Sequence, residues 1–210
     1  NTLVVNNTGS WAFAFSGNLL YNCTVSGQSN GGLSSQVRAY NSIIYGNGAT
    51  DAEGGSALTN CLTSGTVPRP GLGNLAGDPR FVDAAGGDYR LRADSPGVDS
   101  GSLSWVAQRD GTDFAGAPRV QGGGVNMGAL ETAVSVVTAT ATSGGAVTPA
   151  GTFLFTGDLT FTAVPWPGRA FRRFEVNGAP VPGGGTNLTI NADAFSGDAA
   201  VTVHAVFQDG

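Results

Sequence analysis

Hydrophobic and polar positions in the first third of the chain repeat at a fixed spacing. Residues 20–27, 39–46 and 58–65 each carry an asparagine at their third position and a glycine at their last. The asparagines, Asn22, Asn41 and Asn60, are equally spaced, and a weaker copy of the segment opens the chain. A period of about 20 residues is typical of solenoids, in which each repeat forms one coil.

Each repeated segment is too short for a helix and contains Val, Ile, Leu or Tyr, which favour strands. The pattern therefore predicts a parallel β-helix in which one repeat of the sequence forms one coil. The variable stretches 9–17, 27–35 and 46–55 are interpreted as connections between the repeated segments.

Stacking of the coils brings equivalent residues of successive repeats into ladders with a spacing of about 4.8 Å. Asn22, Asn41 and Asn60 are expected to form one such ladder at a turn of the coil. Their side-chain amides are predicted to bond to one another along the stack.

Cys23, Ser42 and Cys61 form the neighbouring ladder, and their spacing decides whether a disulfide is expected. The two cysteines are two coils apart, so their Cα atoms should be about 9–10 Å from each other. A disulfide requires less than about 7 Å. We therefore expect both thiols to be free and to serve as small, buried packing groups.

The chain divides into three parts by composition and patterning. Residues 1–66 carry the coils, and residues 67–133 are rich in Gly, Asp and Pro and are predicted to form the terminal, capping segment of the β-helix. Closely spaced strand-like segments over 134–210, without an amphipathic helix, indicate a small antiparallel β domain. The predicted fold class is all-β. The strands of the last part are expected near 136–142, 152–156, 159–164, 170–176, 187–191 and 200–207.

The middle part resembles the end of a known kind of β-helix. The motifs that carry the resemblance are GDPRFVD (77–83), GDYRL (87–91), SPGVDSG (95–101), DFAGAPR (113–119) and NMGALE (126–131). They resemble the final turns of bacterial choice-of-anchor Q and polymorphic-outer-membrane-type proteins, which more often have Asp in place of Asn126 and Tyr in place of Leu130. The resemblance spans about residues 1–131. It implies a right-handed parallel β-helix that is exported and surface-associated, and it implies no activity.

The C-terminal part resembles the bacterial internalin-type B-repeat over about residues 134–208. The similarity lies in SGGAVTPAG (143–151), LTFTAVP (159–165), FEVNG (174–178) and VTVHAVF (201–207). Phe174 stands where that family usually has another aromatic residue. B-repeats are compact β modules that often occur in tandem on secreted and surface proteins. The resemblance therefore implies a stalk, a spacer or a contact module.

Candidate catalytic residues are few in the coils. Glycoside hydrolysis needs a pair of carboxylates that face one sugar, whereas the acids of residues 1–66 are Asp51 and Glu53, both in one connection. Arg38 is the basic residue of this region, and no ladder position carries stacked charges. We interpret both carboxylates as solvent-facing loop residues.

The single histidine and the tryptophans also have structural interpretations. Alternation places His204 on the face of its strand opposite Val203 and Ala205, without a nucleophile motif around it. The tryptophan rings have the surface to stack on sugars, although lone aromatic residues in loops more often serve packing or contact. These tryptophans are Trp11, Trp105 and Trp166.

A calcium site is considered for the acidic middle part, and no other cofactor is implied. Asp beside Gly, Pro or Ser favours turns and local capping bonds, and no spaced Asp-x-Asp-x-Asp-Gly loop is present. We therefore prefer a structural role, in which arginines of this part pair with the aspartates. The calcium candidates are Asp78, Asp83, Asp88 and Asp99, and the pairing arginines are Arg80, Arg90, Arg92 and Arg119.

The composition restricts the classes of binding partner and the cellular location that we expect. The 210 residues carry a formal net charge of −5, and all ten basic residues are arginine. No basic patch is expected for phosphates, which argues against nucleic acid, and no apolar run reaches the roughly 18 residues of a membrane span. Low charge and abundant Gly suit bacterial extracellular solenoids, so we expect a secreted or cell-surface protein. Because residue 1 is not Met, we also expect a processed chain or a piece of a longer one.

The leading hypothesis is a non-catalytic, extracellular structural or adhesin-like protein. The first rung, Thr2, Leu3, Val4 and Val5, is predicted to present an unpaired strand edge that accepts a strand from another copy. Copies joined head to tail would form a filament or a surface matrix, and cell-surface polysaccharide is the other expected partner. The alternative is a C-terminal fragment of a polysaccharide lyase- or hydrolase-like protein, or of a carbohydrate-binding β-helix protein.

Overall fold

A computed structural model of the chain describes residues 1–13, 17–65, 71–106, 111–121, 124–132, 135–183, 185–195 and 200–210. The predicted all-β class is confirmed, since strands hold 48% of the residues and helices 3%. The chain forms two compact units, Asn1–Thr132 and Ala133–Gly210. The predicted part boundaries after residues 66 and 133 lie outside the described residues.

The N-terminal unit begins with a β-solenoid of about three turns. Its described strands are β1 (Thr2–Val5), β2 (Leu19–Tyr21), β3 (Cys23–Ser26), β4 (Gly31–Leu33), β5 (Arg38–Tyr40), β6 (Ile43–Tyr45), β7 (Thr50–Ala52), β8 (Ala57–Thr59), β9 (Leu62–Thr63) and β10 (Leu75–Ala76). They form parallel sheets with the strand orders β1-β3-β6-β9-β10, β2-β5-β8 and β4-β7. A complete coil contributes a strand to each sheet.

The strand register follows the repeat of the sequence. Tyr21 pairs with Tyr40, and Tyr40 pairs with Thr59, so each coil is offset from the next by one period of the sequence. The strands β4 and β7 lie in stretches that the sequence pattern assigned to connections, and this assignment was wrong. They are short and rich in Gly or polar residues, so the alternation that marks a strand is weak there.

Each corner of the coil is a turn in the left-handed region of the backbone. Gly adopts a positive φ without steric cost, and Asn adopts it at a small steric cost. Other residues are strained in this conformation. This requirement explains why Asn and Gly recur at a fixed period. The three columns with positive φ are Asn6, Gly27 and Gly46; Gly17, Gln36 and Gly55; and Asn22, Asn41 and Asn60.

The predicted side-chain ladder of asparagines is wrong, although Asn22, Asn41 and Asn60 occupy the same corner of successive coils. The Asn41 side chain instead bonds to the backbone of Ser102: its Nδ2 donates to the carbonyl oxygen at 2.9 Å, and its Oδ1 accepts from the N–H at 2.8 Å. Both ends of the amide are thereby used. Among the described residues, no bond joins the three amides to one another.

A polar ladder does run through the next corner. Asn7 Nδ2 donates to Gln28 Oε1 at 3.0 Å, and Asn47 Oδ1 accepts from the Gln28 backbone N–H at 3.1 Å. Gln28 Nε2 also donates to the carbonyl oxygens of Val4 and Ser26. Gln28 and Asn47 are buried. This ladder therefore satisfies buried backbone groups where the coil turns.

Cys23, Ser42 and Cys61 lie in one column of the solenoid core, and both thiols are free and buried. The Ser42 hydroxyl accepts from the Cys23 backbone N–H at 3.1 Å. Burial raises the pKa of the Cys61 thiol to about 12. The rest of this core is aliphatic and includes Val25 and Ile44, both fully buried.

Segments of the same unit that follow β10 cover part of the outer face of the five-stranded sheet. They contain an antiparallel hairpin of β11 (Phe81–Asp83) and β12 (Asp88–Leu91). Leu91 and Met127 pack with the outward-facing Ile43 and Leu62 into a second buried cluster. This lateral packing explains why Ile43 and Leu62 are buried although they point away from the solenoid interior.

The C-terminal unit consists of two sheets around one core. Its described strands are β13 (Ser135–Ala141), β14 (Gly145–Thr148), β15 (Gly151–Phe155), β16 (Asp158–Pro165), β17 (Arg169–Val176), β18 (Ala179–Pro180), β19 (Asn187–Asn191) and β20 (Val201–Asp209). The sheet orders are β15-β13-β20-β17-β18 and β14-β16-β19. The described pairs are antiparallel except β13 with β20, which run parallel. Val203 and Ala205 are fully buried in this core while His204 points away, as alternation predicted.

Candidate functional site

The two carboxylates of the coils hold the backbone in place. Asp51 Oδ2 accepts from the Ser64 N–H at 2.7 Å, and its Oδ1 accepts from the Asn47 N–H at 3.1 Å. Glu53 Oε2 accepts from the Ser35 N–H at 3.1 Å. These bonds give both acids a structural task that needs no substrate.

The aspartates of the middle part act in the same way. Asp78 Oδ1 accepts from the Arg80 N–H at 2.8 Å, and Asp83 Oδ1 accepts from the Gly86 N–H at 3.0 Å. The hydrogen bond from the Arg90 side chain holds the pKa of the Asp88 carboxyl below its ordinary value.

The remaining calcium candidate, Asp99, donates its backbone N–H to Asn126 Oδ1 at 3.0 Å. Within the part of the chain that the structure describes, no three Asp, Glu, His or Cys residues gather in a metal-holding group. The four candidates are therefore dispersed over separate turns.

A buried contact between an arginine and a glutamate accounts for two motifs of the middle part. Arg119 Nη1 lies 3.0 Å from Glu131 Oε1, and both side chains are almost fully buried. Asp113 accepts from the Glu131 N–H at 2.7 Å and from the N–H groups of Ala115 and Ala117. Burial raises the pKa of Glu131 to about 8 against the opposing effect of Arg119. This cluster joins the 111–119 and 124–131 segments and has no access to solvent, so its role is structural.

The outer face of the three-stranded sheet carries the best candidate for a binding site. Along β5 and the residues before it the side chains alternate: Val37 and Ala39 are fully buried, Gln36 and Arg38 are exposed, and Tyr40 is half-buried. The outward residues follow one another at intervals of about 6–7 Å along the strand. One coil therefore presents an amide, a guanidinium and an aromatic ring to the same side.

The neighbouring coils supply a floor of small and apolar residues. Leu19 and Ala57 pair with Arg38 in the strand register, and Leu19 is 53% exposed. An open cavity of about 600 Å³ lies on this face, and we call it the sheet groove. The described residues that line it are Gly17, Leu19, Gln36, Arg38 and Gly55.

An aromatic row borders the sheet groove. The rings of Tyr21 and Tyr40 stack with their centroids 4.9 Å apart and their planes 14° apart. Trp105 lies against Tyr40 with a centroid distance of 4.3 Å. The row thus extends across two coils and is closed by a residue from outside the solenoid.

Asn41 positions this tryptophan. Trp105 ends a short 3-10 helix, Leu103–Trp105, whose N-cap residue is Ser102. The two hydrogen bonds between the Asn41 amide and the Ser102 backbone fix the start of that helix beside Tyr40. The corner asparagine therefore links the solenoid to the aromatic row.

Gln36 is strained in a way that points to function. Its φ is 67°, whereas the equivalent corners of the neighbouring coils hold Gly17 and Gly55 with φ of 87° and 92°. A residue other than Gly, Asn or Asp pays roughly 1–2 kcal/mol in this conformation. Strain of this kind is concentrated at binding and catalytic sites, and the Gln36 side chain is exposed at the sheet groove.

Sequence reasoning missed this site, although signals for it exist. Tyr21 and Tyr40 share the period of the coils, and Gln36 stands where that period places Gly17 and Gly55. The contribution of Trp105 has no local signal, since it depends on a contact with a distant segment. Of the other tryptophans, Trp11 packs over Gly31, and Trp166 is exposed in a loop.

Comparison with protein families, with curated proteins and with solved structures finds no match to the chain. The resemblances noted from the sequence motifs therefore stay predictions. No described helix combines the length and the apolarity that crossing a membrane requires.

Proposed function

We propose that this protein binds a polysaccharide through the sheet groove, without cleaving it, as an adhesin-like protein of the cell exterior. The observation that carries the proposal is the outward row Gln36, Arg38 and Tyr40 on one coil, beside a cavity of about 600 Å³. The sequence led us to expect two partners, another copy of the chain and cell-surface polysaccharide, and we favour polysaccharide.

The chemistry of these side chains suits a sugar chain. A pyranose presents hydroxyl groups at its edge and C–H groups on its faces, so it needs polar partners beside an apolar surface. Amide and guanidinium groups supply several directed hydrogen bonds. The Tyr21–Tyr40–Trp105 row and Leu19 supply the apolar surface.

The arrangement favours binding over catalysis. No carboxylate is among the described residues that line the sheet groove, whereas hydrolysis of a glycoside needs two. Asp51 and Glu53 accept backbone hydrogen bonds within the same solenoid.

The experiment is a comparison of stability and binding in the Gln36→Gly variant. Removing the strained side chain should leave the free energy of unfolding unchanged or raise it, while binding to a polysaccharide panel in affinity electrophoresis falls. Gln121→Gly is the control, because Gln121 bonds to Pro118 in a different segment. Unchanged binding by Gln36→Gly, or release of sugar fragments by the native protein, would contradict the proposal.

A second candidate function, association of copies through β1, has its own supporting observation. β1 is the outer strand of the five-stranded sheet in this structure. Beside it lies a shallow cavity of about 420 Å³ lined in part by Leu3, Phe114 and Leu130, with Phe114 54% exposed. A strand added along β1 would place a side chain over Leu3 and into this cavity, which is how strand addition acquires specificity.

Light scattering at increasing protein concentration tests this second candidate. The native chain should associate, and Leu3→Lys should reduce association because it places a charge in the cavity and on the strand edge. Val82→Lys, at an exposed apolar position elsewhere in the same unit, is the matched control. A native protein that stays monomeric at all concentrations would exclude the idea.

A further inference from the structure

We infer that the polymer recognised by the sheet groove is acidic, and that Arg38 selects it by pairing with uronate carboxylates. This inference rests on the proposed function and names the chemical class of its ligand.

The first observation is the pairing of arginines across the protein. Arg80, Arg90, Arg92, Arg119, Arg169 and Arg173 each pair with an acidic side chain. In the part of the chain that the structure describes, Arg172 and Arg38 form no ion pair, although the protein carries more acidic than basic residues, and of these two only Arg38 lies at the sheet groove. Its guanidinium is therefore open to an external anion.

The second observation is the set of neighbours around Arg38. In the strand register it lies between Leu19 and Ala57, and along its own strand the next outward residues are Gln36 and Tyr40. None of these side chains carries a charge. No acidic side chain among these neighbours competes with a ligand carboxylate for the guanidinium.

The third consideration is the preference of the guanidinium itself. Its planar fork of N–H donors matches a carboxylate in a two-point contact, which is shorter and stronger than bonds between neutral groups. With the Gln36 amide beside it to donate to a neighbouring hydroxyl, the pair fits a sugar that carries a carboxylate. A net charge of −5 means that attraction must come from this local contact and not from the overall field.

The test compares one polymer in two chemical forms. Polygalacturonate and the same polymer after reduction of its carboxyl groups are titrated by isothermal calorimetry into the native protein and four variants: Arg38→Gln, Arg38→Lys, Gln36→Gly and Arg172→Gln. Arg172 is exposed in the C-terminal unit and serves as the matched arginine control. A sulfated polysaccharide is included to separate carboxylate recognition from attraction to any anion.

The native protein and Arg172→Gln should bind polygalacturonate at least about tenfold more tightly than the reduced polymer, since one charge-assisted contact contributes this much. Arg38→Gln should bind both forms with the same weak affinity, and Arg38→Lys should recover only part of the difference.

Three results would overturn the inference. Equal binding of both forms by the native protein, with Gln36→Gly still defective, would leave polysaccharide binding in place and remove the acidic specificity. Tighter binding of the sulfated polymer would assign Arg38 to sulfate esters instead of uronates. Failure of the native protein to bind any polymer would remove the proposed function as well.

Discussion

Replacing Asn41 with Ala tests the link between the solenoid corner and the aromatic row. The Asn41 side chain is fully buried and makes two hydrogen bonds with the Ser102 backbone, at 2.8 and 2.9 Å. Its backbone is left-handed, with a φ of 48°. Ala removes both bonds and introduces a residue that tolerates this conformation less well than Asn.

The lost hydrogen bonds and the less tolerated backbone conformation both lower the free energy of unfolding, and their typical contributions can be added. Leaving the partly buried N–H and C=O groups of Ser102 without partners costs roughly 1–3 kcal/mol. The left-handed conformation adds up to about 1 kcal/mol for Ala relative to Asn. We therefore expect Asn41→Ala to lower the free energy of unfolding by about 1–4 kcal/mol. Asn41→Gly keeps the backbone freedom and isolates the hydrogen-bond loss of roughly 1–3 kcal/mol.

Urea denaturation followed by circular dichroism measures these differences, and tryptophan emission reports on Trp105. Asn60→Gly is the control, because Asn60 occupies the same corner of the next coil and its side chain makes no hydrogen bond with another described residue. We expect this control to lie within about 0.5 kcal/mol of the native protein. If Asn41→Ala and Asn60→Gly have equal stability, the Asn41–Ser102 contact does not hold the aromatic row.

Two further predictions concern buried groups of the N-terminal unit. Cys23 and Cys61 should resist alkylation in the native protein and both react after denaturation, as read by mass spectrometry; a native disulfide between them would contradict the register of the coils. Glu131 has a folded-state pKa of about 8, above its ordinary value of 4.5. Its stabilising contribution should therefore be full below pH 4.5 and be lost as the pH rises to 8. The urea midpoint of the native protein should fall over this range and that of Glu131→Gln should fall less; equal pH profiles would refute the assignment.

The repeat in the sequence predicted the stacking of coils because backbone sterics act locally. A corner that needs a positive φ admits Gly or Asn in each coil, so the corner columns appear as a regular period along the chain. The core ladder of Cys23, Ser42 and Cys61 follows from the same offset. These features depend only on a residue and its equivalents one coil away.

The candidate site depends on contacts that no local pattern encodes. The amide of Asn41 was predicted to bond to its neighbours in the stack, but its partner Ser102 is 61 residues away in a segment that does not repeat. Trp105 reaches the aromatic row through that same contact. Gln36 looks like an ordinary polar loop residue until its φ is known. The sequence pattern did not predict the strand on the third side of the coil, because β4 contains two glycines among its three residues.

The most direct test of acidic polysaccharide binding at the sheet groove is an NMR titration of the labelled protein with a galacturonate oligosaccharide. The account predicts chemical-shift changes at the backbone amides of 17–21, 36–40 and 55–59, and at the Arg38 side chain, with the same residues silent in Gln36→Gly. Changes confined to other surfaces, such as the loop of Trp166, or no changes at a saturating concentration, would contradict it.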